Sequence, residues 1–349
     1  MSLSEVQRRS RHDRQIAVPE FGPETQRLLS DATIAIVGCG ALGALQAELL
    51  TRMGVGALRL ADGDVVSCGN LHRQLLYTER DAEEGAAKVA AAAARLAALD
   101  SRIAIRTVAE RITRRNIDAF AEGADLLLDA TDNTATRFLL NDYCVRNAIP
   151  WVYAGVAGTS GLILPVLPQE GPCLRCLYPD PPAEDDAATC ATAGILPTAV
   201  VLAVSLQVTQ AVRILNRTAK PGTLLRLNVW DAAVRASTVR RDPSCVCCGR
   251  RRFEFLEPEA AESAPLAEFV CSQRLVRIEA AFWDGASFDV PRALAAAQTR
   301  GAAVRRKGLL WSVTRDNTRL SLFPDGHLLV HDCTAPDEAL AVARALFLE

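Results

Sequence analysis

The chain has 349 residues, half of them hydrophobic, and a formal net charge of −2. At about 100–200 residues per domain, this length predicts two domains, or one large domain with an appendage. The near-neutral charge gives no indication of nucleic acid or an anionic membrane as a partner. No apolar run approaches the roughly 20 residues of a membrane span. The polar N-terminus lacks the apolar core of a signal peptide, so we expect a soluble cytoplasmic protein.

Predicted strands and helices alternate through the first part of the chain. A short helix at 23–29 precedes the apolar strand 33–37, and further strands and helices follow at 47–54, 57–62, 85–99, 102–110, 112–123 and 125–129. Alternation of this kind is typical of βαβ units. It predicts an α/β fold, a Rossmann-like and mostly parallel sheet with helices on both faces.

The second part of the chain is less regular. Strands are predicted at 151–158, 160–168 and 223–231 and a long helix at 199–215, with an acidic, proline-rich loop at 179–189. A shift in composition at 256–268 indicates a linker between a first domain, 1–255, and a small α+β module, 269–349. Within the module, a Pro-Asp-Gly sequence between two alternating runs predicts a hairpin.

A glycine-rich loop follows the first predicted strand. Gly38, Gly40 and Gly43 fit the pattern G-x-G-x-x-G, which allows backbone N–H groups to approach a phosphate. Asp62 ends the next strand, where an acid accepts hydrogen bonds from a ribose. The sequence therefore predicts a nucleotide site, but this pattern alone does not separate an NAD dehydrogenase from an enzyme that uses ATP.

Polar and charged residues after the loop favour ATP. Adenylyl transfer accumulates negative charge on the phosphates, so its catalysis depends on cations and Mg²⁺. Arg73, Lys88 and, in the N-terminal arm, Arg14 are suitable cations, and Asn70 can donate to a phosphate. Asp132 offers a carboxylate to Mg²⁺. Each of these residues taken singly is more often a solvated surface group or a turn cap; their combination with the glycine loop favours a site.

In order along the chain, these motifs resemble those of the ubiquitin-activating-enzyme superfamily, and in particular its MoeB and ThiF groups of adenylyltransferases. The resemblance extends over about residues 8–250 and is carried by Lys88 and by the segments 11–16, 36–43, 60–74 and 129–133. Two departures are His72, where the family often has glutamine, and a slightly long loop between Arg73 and Lys88.

The resemblance implies a homodimer that adenylylates the C-terminal glycine carboxylate of a ubiquitin-like sulfur-carrier protein ending in Gly-Gly. The adenylate would then become a thiocarboxylate in cofactor, tRNA-thiolation or secondary-metabolite biosynthesis. Arg14 would reach the partner's site, and Asp132 would bind Mg²⁺. The remaining ATP contacts implied are Gly38, Gly40, Ala41, Gly43, Asp62, Asp64, Asn70, Arg73, Gln74, Lys88 and Asn133.

Two cysteine pairs predict a zinc site. The sequence has 11 cysteines and no export signal, and in a reducing compartment clustered cysteines are more typical of metal ligands than of disulfides. Cys173-x-x-Cys176 and Cys245-x-x-Cys248 provide four thiolates for a closed, structural Zn²⁺ site. Cys247 is an alternative to Cys248, which the CxxC spacing favours.

Cys190 lies at the end of the acidic loop, just before the long predicted helix. A helix N-terminus lowers the pKa of a thiol, so Cys190 is a candidate catalytic or sulfur-handling thiol. The alternative is a small apolar residue without a role. In the module, His327 and His331 are expected at the surface, and the module itself is interpreted as a docking site for the carrier or a downstream enzyme, or as a dimer-stabilising appendage.

Three other functions stay open at this point. The first is a related ATP-dependent enzyme that activates a peptide or another small carboxylate. The second is an NAD-dependent oxidoreductase, which the glycine loop alone would also allow. The third is a non-catalytic scaffold, against which the retention of Arg14, Arg73, Lys88 and Asp132 argues. The sequence names neither the carrier nor its sulfur source.

Overall fold

The computed structural model describes residues 10–181, 193–257, 266–270, 275–283, 288–316 and 318–348. Cys190 and most of the predicted linker lie outside these residues. An eight-stranded sheet forms the first part, in the strand order β3-β2-β1-β4-β5-β6-β7-β8. Its strands are β1 Thr33–Val37, β2 Ala57–Ala61, β3 Ala104–Val108, β4 Leu126–Asp129, β5 Trp151–Ala157, β6 Ser160–Val166, β7 Thr223–Asn228 and β8 Ala233–Thr238.

Nine helices accompany this sheet in the described residues between 10 and 257, apart from short 3-10 turns. They are α1 Asp13–Ile16, α2 Gly22–Asp31, α3 Ala41–Met53, α4 Glu79–Glu84, α5 Lys88–Leu99, α6 Ile117–Ala121, α7 Thr134–Asn147, α8 Leu174–Leu177 and α9 Pro197–Leu215.

The strands β1 to β5 are parallel, and β6 to β8 are antiparallel. The central strands β1 and β4 are apolar and almost wholly buried, because helices cover both faces of the parallel region. Two separate clusters of buried apolar side chains lie on the two sides of the sheet. The predicted α/β fold with a mostly parallel sheet is confirmed.

Helix α9 packs against the central sheet. Among the described residues it is the one helix long and apolar enough to cross a membrane, with 19 residues and 56% of its most apolar window buried. The expectation that no apolar run approaches that length is therefore wrong. The side chain of Gln207 donates to the carbonyl oxygens of Asp129 and Val152, at 2.8 and 2.9 Å. A buried side chain that donates to backbone carbonyl oxygens of the sheet is typical of a helix in the protein core.

The C-terminal module contains a second sheet of six antiparallel strands in the order β11-β12-β13-β14-β10-β9. The predicted hairpin is present between β13 and β14. Strand β9 begins two residues before the predicted start of the module. The elements are β9 Ala267–Phe269, β10 Leu275–Ile278, α10 Val290–Thr299, β11 Ala303–Lys307, β12 Leu310–Arg315, β13 Thr318–Leu322, β14 Leu328–His331 and α11 Pro336–Phe347.

Three helices differ from their prediction. The helix expected over 47–54 begins already at Ala41. The helix expected over 112–123 is formed only from Ile117 to Ala121, because the side chain of Asn116 accepts from the backbone N–H of Thr113 and closes a turn before it. The helix expected from residue 85 begins at Lys88, and α4 precedes it, capped by reciprocal hydrogen bonds between Thr78 and Asp81.

Candidate nucleotide and metal sites

The glycine loop joins β1 to α3 by a turn that needs glycine. Gly38 has a φ of +93°, and a Cβ there would lie 2.5 Å from the carbonyl oxygen of Ala130. A Cβ on Gly43 would lie 2.0 Å from the carbonyl oxygen of Gly38. Gly40 immediately precedes the helix, which begins at Ala41. The loop therefore presents the N-terminus of α3 at the carboxyl end of β1, an arrangement that binds phosphate.

Asp62 follows β2 and is fixed against the glycine loop. Its two carboxylate oxygens accept from the backbone N–H groups of Cys39, at 2.7 Å, and Asp64, at 2.8 Å. A carboxylate held in this way at the end of the second strand is positioned as a ribose acceptor would be. The hydroxyl of Tyr77 donates to the carbonyl oxygen of Cys39 at 2.6 Å, and this contact supports the same loop from the other side.

Lys88 is the first residue of α5, and its side chain is buried beside both acids. Its Nζ lies 3.0 Å from Asp64 Oδ2 and 4.0 Å from Asp62 Oδ2. Burial opposes protonation of Lys88, but the negative charges of Asp62, Asp64 and Asp132 outweigh burial and raise its pKa. Lys88 is therefore a permanent cation close to the glycine loop.

The segment Asn70–Gln74 lies beside this loop and is largely buried. Asn70 accepts from the Ser67 hydroxyl at 3.0 Å, and Arg73 donates to the carbonyl oxygen of Gly69 at 2.9 Å. Gln74 faces Gly40, where a Cβ would lie 3.6 Å from Gln74 Nε2. Among the described residues, Gln74 Oε1 is buried without a hydrogen-bond partner. An orphaned polar atom here fits a site that binds a polar ligand.

The turn after β4 carries the last of the predicted ATP contacts. Asp132 is exposed, and its charge acts on Lys88, which places its carboxylate on the side of the glycine loop. The side-chain oxygen of Asn133 accepts from the backbone N–H of Thr136 at 2.8 Å and caps α7. Asn133 therefore has an evident structural role, whereas Asp132 is available to a cation.

Arg14 lies away from the glycine loop of its own chain. In the same arm, Arg11 pairs with Asp100 at 3.2 Å, just after α5, and Gln15 donates to the carbonyl oxygen of Met53, the last residue of α3, at 2.8 Å. The loop lies at the opposite end of α3, and a 13-residue helix is about 20 Å long. Arg14 itself is exposed. Within one chain, the structure does not bring Arg14 to the other predicted residues.

The four predicted zinc ligands form one cluster. The sulfurs of Cys173, Cys176, Cys245 and Cys248 all lie within 4.8 Å of one another. The Cys173–Cys245 and Cys176–Cys248 sulfur distances are 3.7 and 3.4 Å. Tetrahedral Zn²⁺ with Zn–S bonds of about 2.3 Å would hold sulfurs about 3.8 Å apart. The donor set and its spacing therefore fit Zn²⁺.

Hydrogen bonds within the cluster shift its thiols in opposite directions. Cys173 acts as the donor, so these bonds lower the pKa of Cys245 and Cys248 and raise that of Cys173 itself, and the pKa of Cys176 is raised as well. Cys247 lies outside the group of four, and its sulfur accepts from the side-chain amide of Asn141 at 3.2 Å.

Two residues that the sequence did not assign to the site contact the loop that follows β2, at Gly63 and Asp64. Arg277, in the module, hydrogen-bonds Gly63 and pairs with Asp64. His327 is 1% exposed, and its Nε2 lies 2.9 Å from the carbonyl oxygen of Gly63. The expectation of a surface position is wrong for His327, and His331 is only partly exposed. The one signal available for Arg277 is a charge inside the otherwise apolar strand Leu275–Ile278.

The fold and these sites define an α/β protein of a nucleotide-binding type, with a cation beside its glycine loop and a separate cluster of four cysteines that could hold a metal ion. The chain belongs to the ThiF family, whose model matches residues 12–247. This result confirms the predicted resemblance and, with the relatives described next, the predicted class of enzyme, an adenylyltransferase.

Among its relatives is the sulfur carrier protein ThiS adenylyltransferase of Bacillus subtilis, which is 35% identical over 92% of this chain and 94% of that protein. The sulfur carrier protein adenylyltransferase of Thermus thermophilus is 37% identical over 68% of this chain and 90% of that protein. A crystal structure of E. coli MccB with MccA-N7isoASN shares the fold, with a TM-score of 0.61, 21% identity and coverage of 71% of this chain and 76% of that chain.

Proposed function

We propose that the protein uses ATP to adenylylate the C-terminal glycine carboxylate of a ubiquitin-like sulfur-carrier protein ending in Gly-Gly. The observation that carries the proposal is Lys88, a buried cation at a helix N-terminus beside Asp62 and the glycine loop. An NAD-dependent dehydrogenase has no need of a cation in this place. The names of the Bacillus and Thermus relatives support the carrier as substrate.

In the proposed reaction, a carboxylate oxygen of the carrier attacks the α-phosphorus of ATP. A new O–P bond forms, the bond from the α-phosphorus to the bridging oxygen breaks, and pyrophosphate leaves with the electron pair. No protein nucleophile takes part in this step. The chain supplies the α3 N-terminus and Lys88 to hold the phosphates, Asp62 to hold the ribose, and Arg73 as a further cation, so orientation and charge stabilise the transition state.

Two metals belong to the proposal. Asp132 would hold Mg²⁺, whose charge, when bound, offsets the charge that develops on the leaving phosphates. The four-cysteine cluster would hold Zn²⁺ with no open coordination position, which makes that metal structural. Asp132 fits its role because its carboxylate is exposed and acts on Lys88.

We expect the active protein to be a homodimer in which Arg14 serves the partner's site, because the arm lies at the far end of α3 and α5 from its own loop. Arg14→Ala and Lys88→Met variants should each be nearly inactive. When the two variants are unfolded separately, mixed in equal amounts and refolded together, about half of the dimers should contain one chain of each kind. Each such dimer has one intact site of two, so the mixture should regain about one quarter of the parent activity.

The control for this experiment is the two variants mixed without exchange of subunits, which should stay inactive. If the exchanged mixture also stays inactive while its dimers are shown to be mixed, Arg14 does not act across the dimer.

The test of the reaction is exchange of labelled pyrophosphate into ATP. We expect exchange with a cognate carrier and none with the same carrier lacking its last glycine. Exchange with short peptides instead would favour the alternative of peptide activation. A change in NADH absorbance with a small substrate, without any exchange, would favour an oxidoreductase.

The cytoplasm is the predicted location of the protein, and a sulfur donor or a downstream enzyme is the predicted further partner.

A further inference from the structure

A buried arginine of the C-terminal module contacts the loop that follows β2. Arg277 lies in β10 and is 1% exposed. Its Nη2 donates to the carbonyl oxygen of Gly63 at 2.8 Å and also contacts Asp64 Oδ1. A Cβ on Gly63 would lie 3.2 Å from Arg277 Nη1, so the guanidinium packs directly on the backbone of the loop that follows β2.

Asp64 is thereby shared between two cations from different domains. Its Oδ1 faces Arg277, and its Oδ2 lies 3.0 Å from Lys88 Nζ. Burial opposes ionisation of Asp64, but the positive charges of Lys88, Arg277 and Arg111 outweigh it and hold its pKa well below the usual range. Asp64 is therefore a full negative charge in the corner where the phosphates of ATP are expected.

The charge balance of this corner depends on Arg277. Asp64 is ionised and lies between two cations, Lys88 and Arg277, whereas burial raises the pKa of the neighbouring Asp62. The nearby Arg111 is paired with Glu268 at 2.5 Å and lies 3.9 Å from Glu279, both in the module. Without Arg277, the charge of Asp64 would be balanced by Lys88 alone, which would leave Lys88 less able to attract a polyphosphate.

We propose that Arg277 is a positioning residue for ATP: it holds and neutralises Asp64, so that the ammonium of Lys88 stays available to the phosphates. This inference rests on the proposed function and adds a role for the module, which becomes part of nucleotide binding rather than an appendage alone.

Other contacts hold the module in place for this role. His327 Nδ1 lies 2.6 Å from Asp325 Oδ1, and its Nε2 faces the Gly63 carbonyl oxygen at 2.9 Å. Both ring nitrogens thus face acceptor oxygens. At a distance from Asp64, Lys307 donates to the carbonyl oxygen of Glu84.

The test is direct binding of ATP and of adenosine to the full chain, without any carrier. In Arg277→Gln, which keeps a hydrogen-bond donor but no charge, the Kd for ATP should rise at least about tenfold. The Kd for adenosine should change less than about twofold, because the lost charge acts on the phosphates. Arg277→Lys should return to within about threefold of the parent. Lys307→Gln, a matched contact between module and first domain, should bind both ligands as the parent does.

A second comparison keeps the inference testable if Arg277→Gln does not fold. The comparison is between the single variant Asp64→Asn and the double variant Asp64→Asn, Arg277→Gln. In the single variant Arg277 has no acid left to neutralise, so the additional loss of Arg277 should change the Kd for ATP less than about threefold. Equal weakening of ATP and adenosine, or a tenfold loss of ATP that persists in the Asp64→Asn background, would overturn the inference. Failure of the parent to bind ATP would instead overturn the proposed function.

Discussion

Replacement of Lys88 by methionine is expected to lower kcat for carrier-dependent adenylylation about 10²- to 10³-fold, the usual cost of removing one preorganised charge from a transition state. Methionine keeps the length and much of the packing of lysine. Asp64 stays compensated by Arg277, so the variant should remain folded. The measurement is single-turnover formation of the carrier adenylate at saturating ATP.

Lys220→Met is the matched control for this variant. Lys220 is an exposed lysine in the turn before β7, and its replacement should leave the rate within about twofold of the parent, as surface substitutions usually do. If Lys88→Met retains most of the parent kcat, Lys88 does not stabilise the transition state, and the assignment of the phosphate site is wrong.

Loss of one cysteine of the cluster is expected to release zinc and destabilise the chain. Cys248→Ser leaves three thiolates, and a structural Zn²⁺ site contributes on the order of 10 kcal/mol of binding free energy, so even partial loss is large. We expect bound zinc to fall well below one per chain and Tm to fall by about 10 °C or more. Both are measured on the purified protein, by metal analysis and by thermal unfolding.

The neighbouring Cys247 provides the control. It is buried beside the cluster but lies outside the group of four, so Cys247→Ser should keep its zinc. Serine at position 247 can still accept from Asn141. Retention of zinc in Cys248→Ser together with its loss in Cys247→Ser would reverse the choice of fourth ligand.

Local patterns predicted the parts of the site that depend on neighbouring residues. Gly38 and Gly43 are required by one tight turn, and each CxxC pair lies on a single turn, so sequence spacing is enough to identify them. The position of Arg14 at the far end of α3 depends on the tertiary structure, and the spacing of residues in the sequence does not predict it. The assignment of Asn133 to the nucleotide overlooked its local role as a helix cap.

The contact between Arg277 and Asp64 joins residues more than two hundred positions apart, and depends on how two separate sheets pack together. No periodicity within either segment encodes such a contact. Four strands were not predicted. The residues of β8 and β11, at the edges of their sheets, are mostly exposed and lack the apolar alternation on which strand prediction depends, and β9 and β10 are only three and four residues long.

Adenylylation of the carrier can be measured directly as the intact mass of a Gly-Gly-ending carrier after incubation with the protein, ATP and Mg²⁺. We expect a carrier heavier by one adenylyl group, formed with release of pyrophosphate and absent when the last glycine is removed. A carrier of unchanged mass, under conditions in which the parent protein binds both ATP and that carrier, would contradict the proposed function.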